Sequence, residues 1–320
     1  MKLLAGWIAI AMAAACGVHA QERYPWKPIQ AVIPRAPGTT TDIVGRAVAL
    51  KLRDLLGQPV VVQNRPGAGG TIGAQAVVAA PPDGYTLFMT NSQHSVNPAL
   101  YAKLGYDTIR DFSGVAMIAE SPALVYVNPA LGVKTLRELI SLARQKPGTL
   151  NYGSAGTGTS THLIGALFAN QAKVDIVHIP YKIGTEVISD LLANRIQLAF
   201  SPIAFMLPQV REGKLLALAN TSIRRVEVLP DVPTVAEAGV PGFEASTWYG
   251  FLVSSKVPRV IQAQVAKAVQ QVAGERDIRE RFDAQGIVTR TLLLDDFDAY
   301  IKGEVERMGA LVASIGARIQ

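Results

Sequence analysis

The stretch from Asn151 to Ser160 reads Asn-Tyr-Gly-Ser-Ala-Gly-Thr-Gly-Thr-Ser, with Gly153, Gly156 and Gly158 inside six residues. It comes within one residue of a Walker A loop, but Thr159 stands where the lysine belongs. Without that cation a nucleotide triphosphate loses its main charge partner. Backbone N–H groups, hydroxyls and a helix dipole remain, which suit one carboxylate or another single oxyanion. Ser154, Gly156, Gly158 and Thr159 are therefore candidate ligand contacts. The plainer alternative is a capped helix start, which needs fewer glycines. His162, in the first turn after the loop, either borders the site or bonds the backbone.

A second loop of similar make-up lies earlier, at Arg35-Ala-Pro37-Gly38-Thr39-Thr40-Thr41-Asp42. Ligands of α/β sheets sit outside the carboxyl ends of strands. That rule makes Arg35, Pro37, Gly38, Thr39 and Thr40 candidates, together with the strand-end residues Asn91, Tyr181 and Ser201. Arg35 can form a bidentate pair with a carboxylate; the alternative is a solvated arginine. Thr39 and Asp42 have capping-box spacing, so Asp42 is expected to satisfy backbone donors rather than meet a ligand ammonium.

Other chemistry lacks carriers. Gly67-Ala-Gly69-Gly70-Thr-Ile-Gly73 has isoleucine where the third dinucleotide-binding glycine belongs, and reads as a tight turn into a close-packed helix. His94, His162 and His178 share no metal-ligand spacing, and HExxH and GxSxG are absent. His178 reads as a packing residue in mid-strand. No cofactor, metal or catalytic set is expected. A serine hydrolase using Ser154 or Ser160 with His162 is a rival, and it lacks an acid.

These loops need strands before them and helices after them. Strand-like runs occur at 29–33, 60–63, 85–89, 124–127, 150–152, 176–180, 196–200, 215–220 and 249–253. Helical periods lie between them. Residues 41–56 carry a helical apolar pattern stopped by Gly57, and 135–146 open with Thr135 and Glu138 in capping-box spacing. Residues 258–315 read as almost wholly helical, with breaks near Gly274 and Gly286. The alternation argues for βα units and parallel sheets. Residues 32–64 and 150–181 repeat one strand–loop–helix–strand plan, so the two loops can face each other across a cleft. The expected division is lobe 1 over 21–123 and 249–320, lobe 2 over 124–248, with strands crossing between them.

The chain has 320 residues, 49% of them apolar, with 18% charged and a net charge of +6. That suits two packed domains and excludes a disordered chain. The basic residues are dispersed, against the clustered stripe of a nucleic-acid binder. Lys2, the apolar run 3–15 and the Val18-His19-Ala20 end read as a cleavable signal peptide over 1–20. Cleavage would remove the single cysteine, Cys16; a lipoprotein anchored there is the alternative. The mature protein is expected to be periplasmic and monomeric.

An ordered set of motifs carries a resemblance. Tyr24-Pro-x-Lys27-Pro-Ile29, Pro34-x-Ala-Pro-Gly38 and Asn64-Arg-Pro-Gly-Ala-Gly-Gly70 come first, then Pro82-Asp-Gly-Tyr-Thr86 and Asn97-Pro-x-Leu-Tyr101. Tyr152-Gly-Ser-x-Gly156-x-Gly158, Pro180-Tyr-Lys182 and Pro230-Asp-Val-Pro-Thr234 follow. Over nearly the whole mature chain this resembles the Bug/TctC-type periplasmic receptors of tripartite tricarboxylate transporters. The resemblance implies an α/β fold of two lobes joined by two crossing strands, the type II Venus flytrap. It implies no catalysis, a small carboxylated solute with a dicarboxylate favoured, and membrane permease subunits as partners. A signalling receptor presenting its loaded form to a sensor is the alternative. Thr39-Thr40 stand where the family usually has Gly-Gly, and Arg35 where it commonly has an aromatic residue.

Overall fold

The structure, a computed structural model, describes residues 24–182 and 184–316. The signal-peptide and Cys16 readings lie outside them. In chain order the strands are β1 (Ile29–Ile33), β2 (Val60–Asn64), β3 (Thr86–Asn91), β4 (Phe112–Val127) and β5 (Leu150–Ser154). They continue with β6 (Ile176–Pro180), β7 (Leu198–Pro202), β8 (Leu216–Asn220), β9 (Ser246–Ser254) and β10 (Val288–Leu293). The helices are α1 (Thr40–Leu56), α2 (Thr71–Val78), α3 (Gln93–Leu100), α4 (Leu136–Gln145) and α5 (Ser160–Ala172). After them come α6 (Gly184–Leu192), α7 (Ile203–Arg211), α8 (Arg259–Gly274), α9 (Arg276–Asp283) and α10 (Leu294–Ile315).

The strands run β2-β1-β3-β9-β4-β7-β5-β6, with β8 and β10 also on β4. β1 is parallel to β2 and β3, and β5 is parallel to β6 and β7, as βα units require. The two parallel sets meet on β4. From Phe112 to Pro122 β4 pairs antiparallel with β9, and from Ala123 it pairs with β7. One strand thus belongs to both lobes. The return crossing is riveted by the buried Thr221, whose hydroxyl accepts from the Ala123 N–H at 2.9 Å and donates to the Ala245 carbonyl.

Two elements depart from the sequence reading. β10 lies inside the segment read as almost wholly helical. Its Val-Thr-Arg-Thr-Leu-Leu run is half-buried along its length, because it pairs with residues 116–120 of β4 at a sheet edge. β4 is much longer than the run at 124–127. Gly114, Ala116, Ala119 and Pro122 weaken the strand signal there, and partners on both sides override it. Other local signals hold. Gly57 ends α1 in the left-handed region (φ 70°), and Thr135 and Glu138 form the full capping box of α4. A Cβ at Gly73 would lie 2.9 Å from the Pro34 side chain, the close packing read from that glycine-rich turn.

Two elements also pack both lobes together. Phe297 of α10 packs edge-on against Trp248, with ring centres 5.2 Å apart, in a core shared with Val32 and Phe88 of lobe 1. Farther along the helix Met308, Leu311 and Val312 join the lobe 2 core with Leu163 and Phe168. Val96 and Leu100 of α3 join that same core.

Candidate functional site

The two loops have one local structure. In the first, the Thr39 N–H donates to the Ala36 carbonyl at 3.4 Å, with Gly38 at φ 82°. In the second, the Thr159 N–H donates to the Gly156 carbonyl at 3.3 Å, with Gly158 at φ 77°. Both turns put glycine where a left-handed residue is needed. Thr39 and Thr159 are the N-caps, yet neither side chain accepts a cap hydrogen bond. Each hydroxyl turns back and donates to the first carbonyl of its turn, Ala36 at 2.9 Å and Gly156 at 2.7 Å. The capping box expected from Thr39 and Asp42 is therefore not formed. The turn carbonyl claims the hydroxyl first.

Asp42 bonds elsewhere. It is 3% exposed, and its carboxylate accepts from the Gly38 N–H at 2.9 Å, Asn64 Nδ2 at 2.8 Å and Arg46 Nε at 2.9 Å. These donors hold its pKa below the usual carboxylate value against the opposing effect of burial. Both carboxylate oxygens are thus engaged by the chain's own donors.

His162 is the counterpart of Asp42. Its Nδ1 accepts from the Gly158 N–H at 3.0 Å, four residues back, as Asp42 does for Gly38. Of the two readings of His162, the backbone bond is the one formed. The acceptor nitrogen is unprotonated, so the ring is neutral with its proton on Nε2. His178 stacks on it at 3.8 Å between centres, and its Nε2 lies 2.6 Å from Ser154 Oγ. His178 thus does more than pack: it anchors the loop. Burial lowers both imidazoles, His162 to about 4 with help from its neighbour.

The second loop's donors are largely consumed within it. Ser154 Oγ accepts from the Gly156 N–H at 3.1 Å, and Thr161 Oγ1 accepts from the Ala155 N–H at 3.1 Å. The first-turn N–H groups of α5 have no intrahelical acceptors and point outward. Ser154 pairs with His178 rather than His162, and among the described residues no carboxylate is hydrogen-bonded to either ring.

The other predicted residues fall into place around these loops. Arg35 Nη2 donates to Asn91 Oδ1 at 3.4 Å, and Asn91 Nδ2 donates to Thr41 Oγ1 at 2.9 Å. The buried Tyr249 phenol meets the side chains of Thr40 and Ser121. Pro37 and Gly38 are exposed on the rim. The Tyr181 N–H donates to the Ser154 carbonyl at 2.9 Å, while its phenol is held 2.7 Å from Asp190, away from the loop. Ser201 lies half-buried at the end of β7, opposite Leu124 of β4, and the β5–β7 register carries it toward the start of the second loop.

The lobes meet where α3 packs on the second loop. A Cβ at Gly158 would stand 2.9 Å from the Leu100 side chain of α3. Between α3 and α5 is a cavity of about 30 Å³, bordered by Gln93, Ser160, Leu163, Ser246 and Thr247. That is room for about one water. Sequence reasoning missed Gln93, Leu100 and Ser246, whose side chains are ordinary for their elements. A cavity of about 710 Å³ lies away from both loops, between Arg224 and Arg279, and none of the predicted residues lines it.

Two like loops on opposite lobes, over a shared crossing strand, match a known receptor family. The model for the tripartite tricarboxylate transporter family receptor, TctC, matches residues 44–317. The chain belongs to this family. The receptor is 33% identical to protein BugT of Bordetella pertussis over 98% of this chain and 97% of that one. A solved R. palustris protein with adipate is 30% identical, with a TM-score of 0.77, covering 92% of this chain and all of that one. MatC from Rhodopseudomonas palustris, solved with bound malate, is 30% identical with a TM-score of 0.72, covering 90% of this chain and all of that one. The receptor's fold is the two-lobed α/β fold of periplasmic binding proteins, with sheet strands crossing between the lobes.

Proposed function

We propose that this receptor captures a small carboxylate, preferably a dicarboxylate, between its lobes in the periplasm and delivers it to the permease subunits of a tripartite transporter. The lobes are 21–123 with 249–320, and 124–248, with α10 bracing both; a signal peptide over 1–20 directs export. The observation that carries the reading is the pair of matched turn–helix loops, one per lobe, with Leu100 of α3 packed against Gly158 of the second. The helix N-terminus after the second loop is a natural anion seat, and the first loop brings Arg35 beside a helix start that Asp42 already occupies. Two relatives solved with malate and with adipate support a dicarboxylate. The candidate contacts are Arg35, Pro37, Gly38, Thr39, Thr40, Asn91, Ser154, Gly156, Gly158, Thr159, His162, Tyr181 and Ser201. The protein acts as a monomer and binds without catalysis, because Ser154 is already engaged in its own loop. A thermal-shift panel of mono-, di- and tricarboxylates tests this. A true ligand at a hundredfold excess over Kd stabilises by about 2.7 kcal/mol. A flat response across the panel would refute the proposal.

A further inference from the structure

Arginines drawn in from the surface of this receptor usually have a carboxylate. Arg290 has Glu120 at 2.9 Å and Glu244 at 3.1 Å, and Arg307 has Glu304 at 2.7 Å. Arg35 does not. Among the described residues no carboxylate pairs with it, its Nε is buried without a partner, and Nη2 has only the long bond to Asn91. Asn91 Oδ1 is already shared with the Gln93 N–H at 3.1 Å. Burial lowers the guanidinium pKa, as expected of a charge without its counter-ion.

The position of this unpaired cation matters. Arg35 immediately precedes the first loop, near Tyr249 and Tyr101. Tyr101 follows Leu100, the residue against which the second loop closes. The equivalent position before the second loop is Ala155, so the doubled loop plan carries a cation on one side only. Asp42 compensates the helix end of the first loop and leaves it a poor seat for a bare carboxylate. The free Nε and weakly held Nη2 together form one edge of a guanidinium fork, which accepts both oxygens of a carboxylate.

We propose that Arg35 is the counter-charge for a second ligand carboxylate, so that the receptor selects dicarboxylates over monocarboxylates of the same length. The inference rests on the carboxylate reading above and adds the residue that reads the second charge. The first carboxylate lies at the start of α5 and the second on Arg35, and a ligand bridging them holds the lobes together.

The test is calorimetry of the wild type, Arg35→Met and Arg35→Lys with matched pairs, butanedioate against butanoate and hexanedioate against hexanoate, alongside the melting temperature of each unliganded protein. The wild type should prefer the diacid in at least one pair. Arg35→Met should lose 10- to 100-fold for that diacid and stay within about twofold for the monoacid. Arg35→Lys should recover part of the loss, since it keeps charge without the fork. Unliganded Arg35→Met should melt no lower than the wild type, because an unpaired buried charge has been removed. Equal losses for both members of a pair would overturn the inference. So would a lowered melting temperature with diacid affinity intact, the mark of a structural arginine. A wild type that takes monoacids as tightly as diacids would refute the role of Arg35 and leave the carboxylate reading standing. A wild type that binds none of the four probes would overturn the carboxylate reading, and this one with it.

Discussion

The loop between β1 and α1 and the loop between β5 and α5 share a backbone and differ in charge. Both use a left-handed glycine, Gly38 or Gly158, and a threonine whose hydroxyl folds back onto the turn. In both, the glycine N–H is taken by the side chain four residues on. In the first loop that side chain is Asp42, tied to Arg46 and Asn64; in the second it is His162, stacked on His178. A buried carboxylate and a buried neutral imidazole hold the same turn, and protonation takes the acceptor from each in a different pH range. One backbone solution can therefore be kept while the electrostatics of each lobe is set separately.

The largest effect should come from filling the space between α3 and the second loop. Gly158→Val introduces a side chain at φ 77° against Leu100, and should abolish binding of any ligand found in the carboxylate panel while the protein still folds. Gly38→Val meets nothing within 4 Å and should weaken binding far less, through backbone strain alone. If the two losses are equal by calorimetry, the contact with Leu100 is not what distinguishes the loops. Shortening Leu100 to Ala in the Gly158→Val background should return part of the affinity, a coupling that a double-mutant cycle reads directly.

Removing the acceptor of the first loop comes next. Asp42→Ala leaves the Gly38 N–H, Asn64 and Arg46 without their acceptor and should cost about 2 kcal/mol in urea unfolding. Arg46 is half-exposed and can turn to water, which keeps the loss below that of a fully buried pair. A loss under about 0.5 kcal/mol would show that the loop holds itself without the carboxylate.

Acid should separate the loops. His162 and His178 have pKa values below 6.5 in the folded protein, so the unfolded chain binds more protons once the pH falls below 6.5. Their contribution is complete above pH 6.5 and is lost progressively toward pH 4, by at most about 1.4 kcal/mol per pH unit for each group. The buried His94, lowered to about 3, adds the same trend throughout lobe 1 and is removed by testing in a His94→Phe background. Asp42 follows the same sign in a lower window, since its contribution is present above pH 3.8 and fails only below it. Amide proton shifts of Gly158 should therefore move between pH 6.5 and 4 while those of Gly38 stay put. Parallel movement of both would contradict the assigned acceptors.

The smallest effect belongs to the caps. Thr39→Ala should cost only a few tenths of a kcal/mol, because its hydroxyl makes an exposed turn bond rather than a cap. Thr135→Ala, which breaks a true capping box, should cost about 1 kcal/mol. Equal costs in thermal unfolding would mean that the turn bond of Thr39 is worth a cap.

Much was legible before any coordinates. The apolar periods, the Gly57 stop and the Thr135–Glu138 box are local, so helix ends could be read from spacing alone. The glycines of both loops announced turns, and the ordered motifs announced the receptor family. β10 and the first half of β4 were not legible, since small residues, proline and threonine become strand there only because neighbours pair with them. At the site, sequence placed Arg35, Ser154 and His162 near strand ends but could not assign their partners. Ser154 went to His178 and His162 to the Gly158 N–H.

The sequence by itself determined the two turns, the helices that follow them and the charges they carry, because φ preferences and side-chain chemistry are properties of short segments. Only the tertiary structure decided which donor meets which acceptor, that Leu100 of one lobe closes on Gly158 of the other, and that Arg35 is left without a carboxylate. Those facts depend on residues far apart in the chain brought together by the crossing of β4, and no local pattern encodes such distances.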